Sequence, residues 1–484
     1  MNKLKKSLAV IATLAIASTG LVACGGDSSS TPATTTKATT AAATTAAAGS
    51  TAAAGSTEAA GSTTAAAAPA GENKFKDDDS SKLTILAWNA DDVGPMIQKF
   101  EELNPDKKGK LEYKNVGSKG QEAHEQYATY FKGGNDVDLF VMEADWILDY
   151  IDNDEYTAPI TDLGFSTDDF KGNYAYTVAI GTNKNGVLKG ASWQATPGAY
   201  VYNKEMAEKY LGAKTPAEMQ EFVKDWDTFT ATAKKLQDEG HKIAMADTLG
   251  GMWQVWQYNR KNAWADKDDN LVIDEFCKTY AELAKQYYDN GYVTKEGQWT
   301  DGWNAMGQGE DTMGFFFCTW CLGKGGQLEK TSGGAGGKNY GKFDICAGPS
   351  AWAWGGSWLG LSPKCNNGTL AHDFVKTFTV DETTMADYAL FKGEFVNNPN
   401  VMKKLVDEKK NQNPALGGAD QFAVLYEAAS KIDMDGKITK FDSQIKDAFN
   451  KSVEKYVKGQ VADYAAMEND FKKAAAQITG LNVQ

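Results

Sequence analysis

From residue 82 onward, short apolar runs alternate with stretches in which apolar residues recur every three or four positions. Leu83-Thr84-Ile85-Leu86-Ala87 reads as a buried strand, and Asn89-Ala90-Asp91-Asp92 behind it offers side chains to cap a helix. Val93, Met96, Ile97, Phe100 and Leu103 then fall at helical spacing until Asn104-Pro105 stops them. Leu111-Glu112-Tyr113 predicts a second strand and Gln121 to Phe131 a second helix. Asp138-Leu139-Phe140-Val141-Met142 predicts a third strand, with a short helix after Glu143-Ala144-Asp145-Trp146. Such alternation implies an α/β fold of mostly parallel sheet with helices on both faces. Ligands of these sheets bind beyond the carboxyl ends of the strands. The candidates are therefore Trp88, Asn89 and Asp91 after the first strand, and Glu143, Asp145 and Trp146 after the third.

The start of the chain breaks this pattern. Met1-Asn2-Lys3-Leu4-Lys5-Lys6 is basic, and Ser7 to Gly20 is apolar but too short to span a bilayer in a mature protein. The run ends in Leu21-Val22-Ala23-Cys24-Gly25, which resembles the bacterial lipobox. The resemblance implies removal of residues 1–23 and a lipid on Cys24, placing the protein on the outer face of a bacterial membrane. Ser28 to Gly71 is almost wholly Ser, Thr, Ala and Gly, which cannot bury enough surface to hold a fold. As a coil it is a spacer reaching ~35–40 Å.

About 410 residues remain from 75 to the end, too many for one ordinary core, so two lobes are expected. With Lys+Arg 50 against Asp+Glu 64, the net charge of −14 excludes a nucleic-acid face. Five cysteines follow Cys24, an odd number: Cys277, Cys318, Cys321, Cys346 and Cys365. Cys318-Thr319-Trp320-Cys321 has redox spacing, but it adjoins the strand-like Met313-Gly314-Phe315-Phe316-Phe317, and no second pair completes a zinc site. Buried thiols are the expectation. The acidic stretch 266–270 lacks the Gly of a calcium loop, and Lys431 stands at the first ligand position before Asp433-Met434-Asp435-Gly436. No metal or cofactor is expected.

Several landmarks occur in one order. Ile85-Leu86-Ala87-Trp88-Asn89 leads to Phe100-Glu101-Glu102-Leu103-Asn104-Pro105, then Asp136 to Val141, then Asn185 to Trp193 with Tyr202-Asn203-Lys204. Gly314-Phe315-Phe316, Trp354 to Leu361 and Ala371 to Thr379 follow. The series resembles the extracellular solute-binding proteins of ABC sugar importers, the superfamily that includes maltose-binding protein. Ser192-Trp193-Gln194 departs from it where many relatives carry a Pro. The resemblance implies a two-lobed periplasmic-binding-protein-like fold, each lobe a mostly parallel sheet, joined by hinge crossings. The first lobe would be 75–194 plus about 356–380, and the second 195–355 plus about 381–484. Crossings fall near Gln194–Pro197, near Gly355 and near Val380–Asp381, and 444–478 forms two helices split at Gly459. Implied partners are a sugar or oligosaccharide and the permease subunits of the importer, with the protein a monomer.

Sugar rings present apolar faces and a hydroxyl rim, which aromatic rings and planar polar groups hold. Trp88, Trp146, Trp193, Trp320 and Trp354 lie at strand ends beside polar residues rather than in apolar stripes. Gln194, Thr196 and Gly356 flank them, and Trp253 with Arg260 offers a further contact, whereas Trp226 suits a helix core. Gln121, Glu122 and His124 open the second helix, equally suited to a solvated face. A secreted glycoside hydrolase would share this composition, but Glu143 and Asp145 serve as well as hydroxyl acceptors as they would as a catalytic pair. The chain carries three His and no G-x-S-x-G or H-E-x-x-H motif, so no catalytic residue is assigned. A polymer-binding adhesin is the remaining alternative.

Overall fold

A computed structural model describes residues 71–484 except 79–81, 89, 118–119, 135–136, 435 and 484. The signal segment, Cys24, most of the spacer and Asn89 lie outside the described residues, as do the side chains of Gln121 and Glu122.

The first lobe follows the expected alternation: β1 (Leu83–Ala87), α1 (Ala90–Leu103), β2 (Leu111–Asn115), α2 (Gly120–Lys132), β3 (Leu139–Glu143) and α3 (Leu148–Ile151). Its sheet is completed by β4 (Gly190–Ser192) and by a late strand, β8 (Ser357–Leu361), in the order β2-β1-β3-β8-β4. Strand residues sort by parity between two apolar clusters. Leu83, Ile85, Leu139, Val141, Leu359 and Leu361 share one cluster with Val93, Met96 and Phe100 of α1 and Phe374 of the helix Gly368–Thr379. Leu86, Phe140, Met142 and Trp358 face the other, with Tyr127 of α2 and Tyr150 of α3. Both faces of β1, β3, β4 and β8 are covered, so these strands lack polar alternation, whereas the edge strand β2 buries only Leu111.

The second lobe centres on β5 (Gly198–Asn203), flanked by β6 (Gly314–Cys318) and β7 (Phe343–Cys346). Strand directions depart from the sequence reading. β1 pairs parallel with β2 and β3, but β8 runs antiparallel to β3 and β4, and β5 is antiparallel to both neighbours. Parallel bridges Ala244–Thr312 and Ala246–Val293 extend this region. The reason is connectivity: β8 enters the first sheet from the second lobe, against the sense of the local β-α-β units. Gly198 of β5 sits beneath the fully buried Trp352 ring, where a Cβ would overlap its atoms.

Three segments lie side by side between the sheets. Pro197 pairs with Ala353, Gly198 N donates to Trp352 O (2.9 Å) and Trp354 N to Thr196 O (3.0 Å). On the other side Gln194 bridges Val396, Ala195 N donates to Phe395 O (3.1 Å) and Asn397 N to Trp193 O (3.1 Å). Val380–Asp381 is a helix junction, where Asp381 caps Glu382–Lys392 by accepting from Thr383 N and Thr384 N at 3.0 Å. The C-terminal helices Asp442–Val457 and Tyr464–Thr479 pack together through Phe449 and Phe471 (centroids 5.1 Å apart), with Gly459 left-handed between them.

Candidate functional site

β3 ends where these segments meet. Ser357 of β8 lies opposite Glu143, and Ala144 N donates to Gly356 O at 3.1 Å. Gly355 and Gly356 both have positive φ, at 63° and 120°. A Cβ on Gly355 would stand 3.2 Å from Glu143 Oε1, and one on Gly356 would stand 3.1 Å from the Trp358 ring. The side-chain-free backbone at Gly355 lets the carboxylate approach the chain, and that at Gly356 makes room for the Trp358 ring. Thr196 Oγ1 donates to Gly355 O (3.2 Å), and Glu143 Oε2 accepts from Asp145 N (2.8 Å).

Charge crosses this point. Lys446, on the C-terminal helix Asp442–Val457, donates to Asp145. Burial pushes the Glu143 carboxyl up to about 8, Asp145 adds to the rise and Lys446 opposes it. Burial thus favours the neutral form of Glu143 against the pull of Lys446. Tyr258 lies within electrostatic reach of the same carboxylates, its hydroxyl pushed up by burial and then by Asp145 and Glu143. Tyr176 lies near Tyr258 and the Thr196 backbone.

Two aromatic groups flank the carboxylates. Beside Gly355, Trp354 meets Trp320 edge-on (4.8 Å, 63°), and Trp320 Nε1 donates to Trp354 O (3.1 Å). Trp299 lies nearly parallel to Trp320 (5.9 Å, 16°), is 57% exposed and holds φ at 69°. A bulky residue in that conformation costs ~1–3 kcal/mol, which the surrounding rings help to hold. Beside Asp145, the half-buried Trp88 meets Trp146 edge-on (5.4 Å), and Trp146 stacks on His124 (5.4 Å, 5°). His124 also faces Asp149 at 3.4 Å. Trp146 is buried, with Nε1 lacking a hydrogen-bond partner among the described residues.

The structure thus brings Trp88, Glu143, Asp145, Trp146, Thr196, Trp320, Trp354 and Gly356 to one region. Asp91 is exposed in the first turn of α1. The remaining candidates stand elsewhere. Trp193 is 0% exposed, because the segment it opens is covered on both sides, and Gln194 is buried with it. Trp253 is 2% exposed and packs on Tyr280 (4.9 Å) and Phe449 (5.3 Å). Arg260 is spent on Asp442 and on Lys437 O (2.8 Å), lying over Trp264. Sequence reasoning passed over Trp299, Tyr176, Tyr258 and Lys446. Trp299 carried a signal, since Gly297-Gln298 and Thr300-Asp301 place it in a polar loop.

Among the described residues, no group of three or more His, Cys, Asp or Glu is arranged to hold a metal ion, and no helix is long and apolar enough to cross a membrane.

Residues 95–418 match the family model of the bacterial extracellular solute-binding proteins, and the chain belongs to that family. No curated protein sequence matches it. The fold is similar to that of a solved extracellular solute-binding protein of family 1, with TM-score 0.68 and 18% identity over 82% of this chain and 100% of that one. It is also similar to the ABC-transporter-associated binding protein of B. animalis subsp. lactis Bl-04 in complex with β-1,6-galactobiose, with TM-score 0.65 and 16% identity over 84% of this chain and 99% of that one. The galacto-N-biose/lacto-N-biose I-binding protein of Bifidobacterium longum, in complex with lacto-N-biose, gives TM-score 0.63 and 16% identity over 84% and 100%. These likenesses establish the two-lobed binding-protein fold.

Proposed function

We propose that this extracellular solute-binding protein takes up a sugar, in particular a short oligosaccharide, and delivers it to an ABC importer. The observation that carries the reading is the Trp299–Trp320–Trp354 group beside Glu143, Asp145 and Thr196, where stacking faces and hydroxyl partners stand together. The structural neighbours crystallised with disaccharides support the same class. In this proposal Trp88, Trp146, Tyr176 and Tyr258 complete the site, and Lys446 closes it from the second lobe. The hinge would comprise 194–197, 353–356 and 394–397. Helix Glu382–Lys392 would then belong with the first lobe, since it packs on α1 and on Gly368–Thr379. The protein acts as a monomer held at the cell surface by lipid on Cys24, and binds without turnover.

A thermal-shift screen of neutral disaccharides and oligosaccharides tests this, because a ligand that prefers the folded state raises the melting temperature by mass action. A rise with at least one sugar, confirmed by calorimetry and by recovery of the sugar intact, is the expected result. Shortening of the sugar would make the protein a hydrolase. A rise only with amino acids, peptides or inorganic anions would replace the sugar reading.

A further inference from the structure

Cys318 closes β6, and the short helix Thr319–Leu322 opens directly behind it, so the Cys318-Thr319-Trp320-Cys321 stretch occupies a strand-to-helix turn. Both side chains are fully buried, and their sulfurs lie 3.8 Å apart. Cys277, Cys346 and Cys365 are also buried thiols.

All three segments that run between the lobes converge on this turn. Thr319 N donates to Pro197 O (3.2 Å) on the first. Trp320 Nε1 donates to Trp354 O (3.1 Å) on the second. Thr319 Oγ1 donates to Glu394 Oε1 (3.1 Å) and accepts from Phe395 N (2.8 Å) on the third. Whatever fixes Thr319 and Trp320 fixes the point about which the lobes would move, together with a ring of the aromatic group.

We propose that Cys318 and Cys321 are joined by a disulfide in the exported protein, a covalent staple across the turn where the three segments meet. Bond formation needs the sulfurs to close from 3.8 Å to ~2.05 Å, a displacement of under ~2 Å. A family that works outside the cell meets oxidising conditions, where such a bond persists. Its role is structural rather than catalytic. An exchange-active pair exposes one sulfur and lowers its pKa, whereas burial and the neighbouring Cys321 sulfur drive the Cys318 thiol well upward. The bond therefore forms while the lobe is folding, before the turn is enclosed. The thiolate of one cysteine attacks an acceptor disulfide and expels one of its halves as a thiol. The second cysteine then attacks the mixed disulfide, forming Cys318–Cys321 and expelling the other half. Two cysteine thiols and one acceptor disulfide become one protein disulfide and two acceptor thiols.

The test uses the mature protein isolated from cells without reductant, denatured and alkylated. Cys277, Cys346 and Cys365 should take the label, while the peptide spanning 318–321 stays unlabelled and two hydrogens lighter than the reduced form. Labelling of all five cysteines, or protection of a different pair, overturns the proposal. Melting gives a second arm. The oxidised protein should melt roughly 2–4 °C above the reduced one, as expected for a short closed loop in a large chain. The Cys318→Ser/Cys321→Ser variant should be indifferent to oxidised glutathione. Identical melting of oxidised and reduced protein, or an oxidation-dependent gain that survives in the double variant, refutes the staple. Neither arm involves a sugar, so the outcome is independent of the ligand reading.

Discussion

Glu394→Gln should stabilise the protein at alkaline pH and leave it nearly unchanged at acid pH. Glu394 follows the left-handed Gly393 that ends the helix Glu382–Lys392, and its side chain is 0% exposed. Oε1 accepts from Thr319, while Oε2 is buried without a hydrogen-bond partner among the described residues. Burial and then the carboxylate of Asp92 push this acid from 4.5 up to about 8, against the pull of Lys392. A raised folded-state pKa means that the native protein holds the proton more tightly than the unfolded chain. The stabilisation is complete below the unfolded value of 4.5 and is lost as pH rises through about 8. At ~1.4 kcal/mol per pH unit the span amounts to ~4–5 kcal/mol, and relaxation around a buried charge leaves ~2–3 kcal/mol to measure. Gln keeps the acceptor for Thr319 and never ionises, so the loss disappears with it. Urea unfolding of both proteins at pH 5, 7 and 9 reads the difference. The variant's advantage should be near zero at pH 5 and should grow to ~2–3 kcal/mol at pH 9. A constant difference across the series would refute the claim that Glu394 changes charge within the fold.

Trp320→Ala and Trp354→Ala should each weaken sugar binding by ~2 kcal/mol, roughly thirtyfold, in calorimetry. If the rings serve only packing, ligand-free melting will fall instead and the folded fraction will bind normally. Gly198→Ala should destabilise by ~2–4 kcal/mol, because the added methyl has to displace the buried Trp352 ring; unchanged denaturant midpoints would show that the ring gives way freely. Cys24→Ser should move the protein from the membrane fraction to the medium or leave the precursor uncleaved, and mature protein still on the membrane would rule out the lipid.

Local pattern and long-range topology were not equally legible in the chain. The β1–α1–β2–α2–β3 series could be read because its main elements carry their own signal: apolar runs on β1 and β3, which are buried on both faces, and Val93, Met96 and Phe100 on the buried side of α1. The same logic placed Glu143, Asp145 and Trp146 at the end of β3, since position after a strand is a local property. Strand direction is not. Nothing in Ser357–Leu361 tells that it returns antiparallel beside β3, because that depends on where the preceding residues have travelled. Trp193 and Trp299 make the complementary case. Both are tryptophans among polar neighbours, and a sequence cannot say which one other segments will cover. The chain of 193–197 is flanked on both sides and buries its ring, while Trp299 stays 57% exposed. Lys446 was hidden for a third reason. Its helix faces the second lobe's core through Ile445, Ala448 and Phe449, so Lys446 reads as one more solvated lysine. Only assembly turns it toward Asp145, a residue 301 positions away, and makes a surface charge the cross-lobe partner of the candidate site.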